Sequence, residues 1–447
     1  MRPLDLEAAT PGDRNRAVDL LRVGALLMVV LGHWLKQGWY VNDAGDLHRA
    51  GLLGIATWTH PLTWVFQVMP VFFAVGGFAN THSWRSARRR GTSYGGWLAT
   101  RTERLTRPVV PLLIFWAAAT LVAEGLDVGH RWLEVASVTA LVPTWFLATY
   151  VVVVALAPLQ VAAWERWGST TLGLPVLGAL AVDATSLALD SPLIGGLNLL
   201  LVWATLHQVG IAWADGWFGA RGRAAAVAAA GLVAGLLLVA LGPYGVSMVG
   251  VDGFGVNNTN PPRATVLALG FFIVGTAIAG EGLLERIARR PRVWPVVVLL
   301  ESRLMTIYLW HLTALGLVGL ASMEARGLGL TAHPNTREWW LLRPATFLAL
   351  SVVTAVLTAA WGRWESPVWQ RTATERGPVL PLLEVAVATA GLALLASEGM
   401  TRGALTTAAA LGTAGVLWSI DQLLLSGSSR RSVGKGARDL RPGAAAR

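Results

Sequence analysis

Cysteine is absent from this chain. That excludes disulfides, thiolate nucleophiles and cysteine-ligated metals, and no other metal motif is visible. Charge is scarce too: 14% of the 447 residues are Asp, Glu, Lys or Arg, against roughly a quarter in a soluble domain. Lysine occurs only as Lys36 and Lys435, so nearly all the positive charge is arginine. What fills the space is 54% hydrophobic residues, gathered into runs of about 17–22, the length a bilayer core requires. Lipid is therefore the solvent. The net charge of +10 could suggest nucleic acid, but the basic residues cluster at the ends of apolar runs, which favours contact with the inner leaflet.

Apolar runs fall near 18–36, 60–80, 108–124, 141–163, 170–188, 197–214, 225–242, 263–280, 294–322, 344–361, 379–397 and 404–425. They predict an all-α, polytopic transmembrane bundle of about twelve helices. The ninth run is long enough to hold a lead-in segment before a span at about 303–322. With both termini cytoplasmic, the inner connections hold 26 of the 36 basic residues and the outer ones 8, while Arg22 and Arg303 lie within runs. This asymmetry is the positive-inside signature. The first run is too long for a cleaved signal and has no small-residue cleavage pattern, so it reads as a retained helix. The chain divides into a cytoplasmic tail (1–17), a membrane core (18–365), two further helices (366–425) and a basic tail (426–447) whose composition predicts disorder. Residues 243–262, rich in Gly, Asn and Pro, form an outer loop.

Ionisable side chains inside a span are costly and mark functional sites by default. The first run carries Asp19, Arg22 and His33. Asp19 and Arg22 are three apart and can pair on the helix surface. Arg22 and His33 are eleven apart, which returns them to within about 20° of one face and separates them by roughly 16 Å along the axis. Two readings are open: a functional stripe, or an arginine reaching the headgroups with a histidine at the opposite boundary. Seven arginines lie between 81 and 107, with Arg101, Arg104 and Arg107 just before a proline-started helix. They serve either as a topology anchor or as guanidinium forks for phosphate. In ESRLMTIYLWHLTALG, Glu301, Tyr308 and His311 fall on one side of a continuous helix, as a polar network or as interhelical hydrogen bonds beside an aromatic belt. His207 with Gln208 is a weaker case.

Taken in order, these pieces resemble the acyltransferase 3 family of integral membrane acyltransferases. The family pattern of Asp, Arg three later and His after ten further residues is met by Asp19, Arg22 and His33. MPVFFAVGGF (Met69 to Phe78) matches a second-helix motif, with Gly76 where the family often has Ser. Arg104 and Arg107 match an Arg-x-x-Arg, the PTWFL at 143–147 matches an aromatic segment, and Tyr308 to His311 match a late Tyr-Leu-Trp-His. The resemblance covers residues 14–365, a ten-helix core, and leaves the last two helices outside it as dimer contacts or as a cover for the bundle.

The resemblance implies transfer of a short acyl group, commonly acetyl, from cytoplasmic acyl-CoA to a hydroxyl of an envelope glycan, glycolipid or exported small molecule. Acyl-CoA is then the co-substrate, with no metal and no nucleic-acid partner. His33 would be general base or transient acyl carrier, oriented by Arg22 and Asp19. Arg101, Arg104 and Arg107 would hold CoA phosphates, and Glu301, Tyr308 and His311 would line the acceptor side or complete a polar network. Arginine over lysine and abundant alanine fit a GC-rich bacterial genome, hence a bacterial inner membrane. The competing reading is an exporter of an envelope lipid or small molecule; the absence of a visible internal repeat counts against it.

Overall fold

The first span, α1 (Arg16–Lys36), is one unbroken helix of 21 residues, so the axial rise between Arg22 and His33 holds. Its start is capped from two sides. Asn15 accepts from Val18 N–H at 3.1 Å, and the Glu285 carboxylate accepts from Ala17 N–H at 2.9 Å. Two of the helix's orphan donors are thereby satisfied, one of them by an anion at the positive end of the helix dipole. The computed structural model describes residues 10, 14–41, 47–127, 130–251, 253–325, 332–365, 377–403 and 405–417.

The further principal helices are α2 (Met69–Arg89), α3 (Tyr94–Thr106), α4 (Val109–Leu126), α5 (His130–Leu141), α6 (Thr144–Trp167), α7 (Thr170–Ala188), α8 (Asn198–Ala214), α9 (Arg223–Leu241) and α10 (Ala264–Ala279). After these come α11 (Glu281–Ala288), α12 (Trp294–Glu301), α13 (Leu304–Ala325), α14 (Arg337–Trp361), α15 (Val379–Glu398) and α16 (Leu405–Leu417). Among the described residues ten helical stretches are long and apolar enough to cross a membrane, or eleven if α10 and α11, bent by 59°, count as one span. The expected twelfth run is described only as α16, 13 residues long; the rest of it, and the basic tail from 426, lie outside the described residues. After α1 comes a short antiparallel ribbon, β1 (Gln37–Val41) and β2 (Leu47–Gly51), with Gln37 opposite Gly51.

The chain folds into two units. The first comprises residues 1–86 and 152–363, the second 87–151 and 364–447. Within the first, α1 packs against α11, α12 and α13, while α9 and α10 pack along each other. The tightest crossing joins α2 and α8. A Cβ on Gly77 would stand 1.9 Å from the His207 carbonyl oxygen, and one on Gly210 would stand 1.8 Å from that of Ala74. Small residues let membrane helices approach this closely. The departure at Gly76 thus falls beside the glycine that the crossing requires. Gly77→Val is expected to abolish the folded protein, since backbone rather than a yielding side chain occupies the space; monodisperse yield on size exclusion in detergent checks it, with Gly76→Ser near wild type.

The loop after α9 is pinned rather than loose. Gln67 donates to the Met248 carbonyl (3.0 Å), Trp64 to that of Val246 (2.8 Å), and Met248 N–H donates to Thr63 Oγ1 (2.8 Å). Inside it, the Asn258 amide donates to the carbonyls of Gly245 and Ser247. In the second unit, α15 packs on α3 and α5, and the hydroxyl of Thr144 donates to the Leu392 carbonyl at 3.0 Å. Of the two added helices, α15 therefore covers neighbouring helices of its own unit.

Candidate functional site

Arg22 meets α12 through Glu301, and His33 meets α13 through His311. At the N-terminal end of the stripe, Arg22 Nη1 bonds Glu301 Oε1 at 2.5 Å and lies 3.7 Å from Asp19 Oδ1. Arg14 completes the set, with Nε 2.6 Å from Asp19 Oδ2 and Nη2 2.6 Å from Glu301 Oε2. Two guanidinium groups and two carboxylates thus form a closed, neutral ring around the start of α1. Burial pushes the Glu301 carboxyl above its ordinary range, and the Arg22 cation pulls against that. This arrangement redirects two expectations. Asp19 keeps Arg22 as an ion-pair partner at 3.7 Å but takes Arg14 as the closer one, at 2.6 Å. Glu301 turns to α1 and not to Tyr308, because the helix breaks at Ser302 and Arg303 and the face computed across a continuous helix no longer applies.

At the other end of the stripe, His33 Nδ1 lies 2.8 Å from His311 Nε2. The ring centres are 5.1 Å apart and the planes 3° from parallel. Because 5.1 Å is the N···N distance plus one ring radius at each end, the imidazoles are end-on and nearly coplanar, the arrangement of a straight hydrogen bond. His311 is fully buried, and its Nδ1 is 2.6 Å from the Tyr308 carbonyl oxygen. The next residue, Trp34, donates its indole N–H to the His311 carbonyl at 3.1 Å. Side chains on two successive residues therefore fasten α1 to α13. His33 itself is half-buried, and its Nε2 makes no hydrogen bond among the described residues.

Beside the ion-pair ring lies a cavity of about 710 Å³ with Arg14, Asp19, Arg22, Phe78, His82 and Trp213 in its wall. The three arginines occupy the second unit. Ser93 caps α3 by accepting from Gly96 N–H at 3.2 Å. Arg104 is exposed, whereas Arg101 and Arg107 are half-buried. Nε and Nη1 of Arg107 are buried with no hydrogen-bond partner among the described residues, a costly state for a cation unless an anion joins it. His207, the weaker candidate, pairs through Nε2 with the Asn80 amide at 3.1 Å, and Gln208 donates to Thr171 Oγ1 and the Gln160 carbonyl. Both act as glue between helices. Among the described residues no group of three His, Asp or Glu gathers closely enough to hold a metal ion.

Sequence reasoning passed over several groups. Asp183, 1% exposed in α7, accepts from Arg263 Nη1 (2.9 Å), the Tyr244 hydroxyl (2.9 Å) and Ala264 N–H (2.7 Å). This satisfied carboxylate anchors both ends of the loop between α9 and α10, and burial together with Asp183 pushes the Tyr244 phenol up. Glu384, 2% exposed in α15, is another. Both are acids within apolar runs, so the rule that selected Asp19 would have found them. Arg14 carried no such mark, because it precedes the run.

A family model described as an acyltransferase domain matches residues 15–362. No curated protein and no solved structure matches the chain.

Proposed function

Because the chain belongs to the acyltransferase 3 family, we propose that it moves a short acyl group, acetyl in the first instance, from acyl-CoA to a hydroxyl of an envelope glycan, glycolipid or exported small molecule. The carrying observation is the half-buried His33 held end-on by His311, on the protein-facing stripe that also presents Arg22. Attack of a hydroxyl on a thioester needs a base that works near neutral pH, and imidazole is suited to it. His33 is that base, or receives the acyl group first and passes it on. Arg22 and Asp19 fix the inner end of α1, and Tyr308 and His311 support the imidazole. Arg101, Arg104 and Arg107 hold CoA phosphates, and the orphaned nitrogens of Arg107 are the observation that favours this role. We place the protein in a bacterial inner membrane with both termini cytoplasmic, on the charge asymmetry of its connections.

The test is release of free thiol from acetyl-CoA by the purified protein in lipid. Since the chain has no cysteine, any thiol that appears belongs to CoA. Arg107→Ala is expected to raise the donor KM about tenfold, the worth of one charge-assisted phosphate contact, with kcat nearly unchanged. An exporter without transfer activity would release no thiol; comparing envelope acyl masses between a deletion strain and its parent would then show no loss.

A further inference from the structure

Hydrogen-bond chemistry assigns the protons along the end-on pair. A backbone carbonyl only accepts, so His311 Nδ1, 2.6 Å from the Tyr308 oxygen, must carry hydrogen. In a neutral imidazole the second nitrogen is then a lone pair. That nitrogen, Nε2, faces His33 Nδ1 at 2.8 Å. One of the two must donate, so the hydrogen sits on His33 Nδ1. Nε2 of His33, which makes no other hydrogen bond among the described residues, is left as the lone pair.

Resting on the acyl-transfer reading, we infer that His311 is a positioning residue: it locks His33 in the Nδ1–H tautomer, presents His33 Nε2 as the reacting nitrogen, and accepts a proton from His33 as the reaction proceeds. The Tyr308 carbonyl, His311 and His33 form a chain in the order acceptor, relay, base. This is the logic by which a buried partner orients a catalytic histidine, with a second imidazole in place of a carboxylate.

The steps balance. As the acceptor oxygen bonds to the thioester carbon, its proton moves to His33 Nε2, and the Nδ1 proton passes to His311 Nε2. Positive charge then rests on His311, whose Nδ1–H points at the Tyr308 carbonyl dipole. When the C–S bond breaks, the departing thiolate takes the proton from His33 Nε2, and His311 returns the other to Nδ1. The hydroxyl proton ends on the thiol, and the acyl group on oxygen. If His33 is instead the acyl carrier, the attacking atom is the same Nε2. Lys36, one turn further along α1, is the other charge acting on His33, and Tyr308 is the other ionisable side chain beside the pair; both stay in place in the variants below.

His311→Gln retains an oxygen that can accept from His33 Nδ1–H but cannot take the proton. It is expected to lower kcat about a hundredfold with the donor KM within twofold of wild type. In mixtures of light and heavy water the wild-type rate should show the curved dependence of two protons in flight, and His311→Gln the straight line of one. A His311→Gln enzyme with wild-type kcat and unchanged isotope dependence overturns the relay, since packing alone would leave that dependence as it was. The tautomer is read without turnover by nitrogen-15 NMR of histidine-labelled protein in bilayers. Hydrogen on Nδ1 of His33, lost as a preference in His311→Ala, supports the assignment, and hydrogen on Nε2 overturns it. Absence of turnover in wild type with any acyl-CoA refutes the acyl-transfer reading, while the NMR result still decides the tautomer.

Discussion

His33→Ala is expected to lower acyl transfer by about three orders of magnitude or more, the scale on which positioned proton transfer and tautomer control operate, while leaving a folded protein. The two effects separate because they draw on different energies. The substitution removes one hydrogen bond and leaves His311 Nε2 as an unpaired buried acceptor, a cost of about 1–3 kcal/mol. The Trp34 bond to the His311 carbonyl and the ion-pair ring at Arg22 remain to hold α1 against α13. Circular dichroism and a single size-exclusion peak should therefore match wild type. Radiolabelled acyl-CoA then distinguishes the two roles of His33. A labelled wild-type protein whose label is lost in His33→Ala marks an acyl carrier, and turnover with no trapped label marks direct base catalysis. Wild-type turnover in His33→Ala would remove the imidazole from the mechanism altogether.

The stripe on α1 was legible because one continuous helix carries both residues, and 3.6 residues per turn convert an interval of eleven into a shared face. The lead-in before the ninth span was legible from the length of its run, and α12 followed by a break fulfils it. The same break defeated the angular argument for Glu301 and Tyr308, since helical phase is lost wherever the backbone leaves the helix. Partners across helices were not legible either. Nothing in the sequence says that His311, not Tyr308, meets His33, or that Arg14 folds back onto Asp19, because those contacts depend on how α1 lies against α13. Asp183, an acid within an apolar run, is legible by the same rule that marks Asp19. The ribbon at 37–51 gave no signal, because its residues carry no clear alternation of period two.

Glu301→Ala is the substitution expected to cost the most stability within the ion-pair ring at the start of α1. The ring of Arg14, Asp19, Arg22 and Glu301 is neutral as built, and Glu301 is its most connected anion, with Arg22 at 2.5 Å and Arg14 at 2.6 Å. Its side chain is 14% exposed and that of Arg22 24%, whereas Arg14 is 38% exposed. Water therefore screens the Arg14 arm, and Arg14→Gln should cost about 1 kcal/mol or less. Removing Glu301 instead leaves Arg22 with only Asp19 at 3.7 Å and a net positive charge in a partly dry site. Breaking such a pair from one side costs about 3 kcal/mol. Glu301→Gln, which keeps the oxygen but not the charge, should fall between the two. Arg22→Met combined with Glu301→Leu should recover most of the loss, because the penalty lies in the orphaned cation more than in the missing attraction. Reversible unfolding in mixed micelles measures all four. The order Arg14→Gln, Glu301→Gln, Glu301→Ala in rising cost is the expected result, and a Glu301→Ala protein as stable as wild type would show that the ring does not hold α1 in place. Transfer activity should fall with the same order even though none of these side chains reaches His33, since the ring sets where α1 begins and thereby where, about 16 Å further along a rigid helix, the imidazole meets His311.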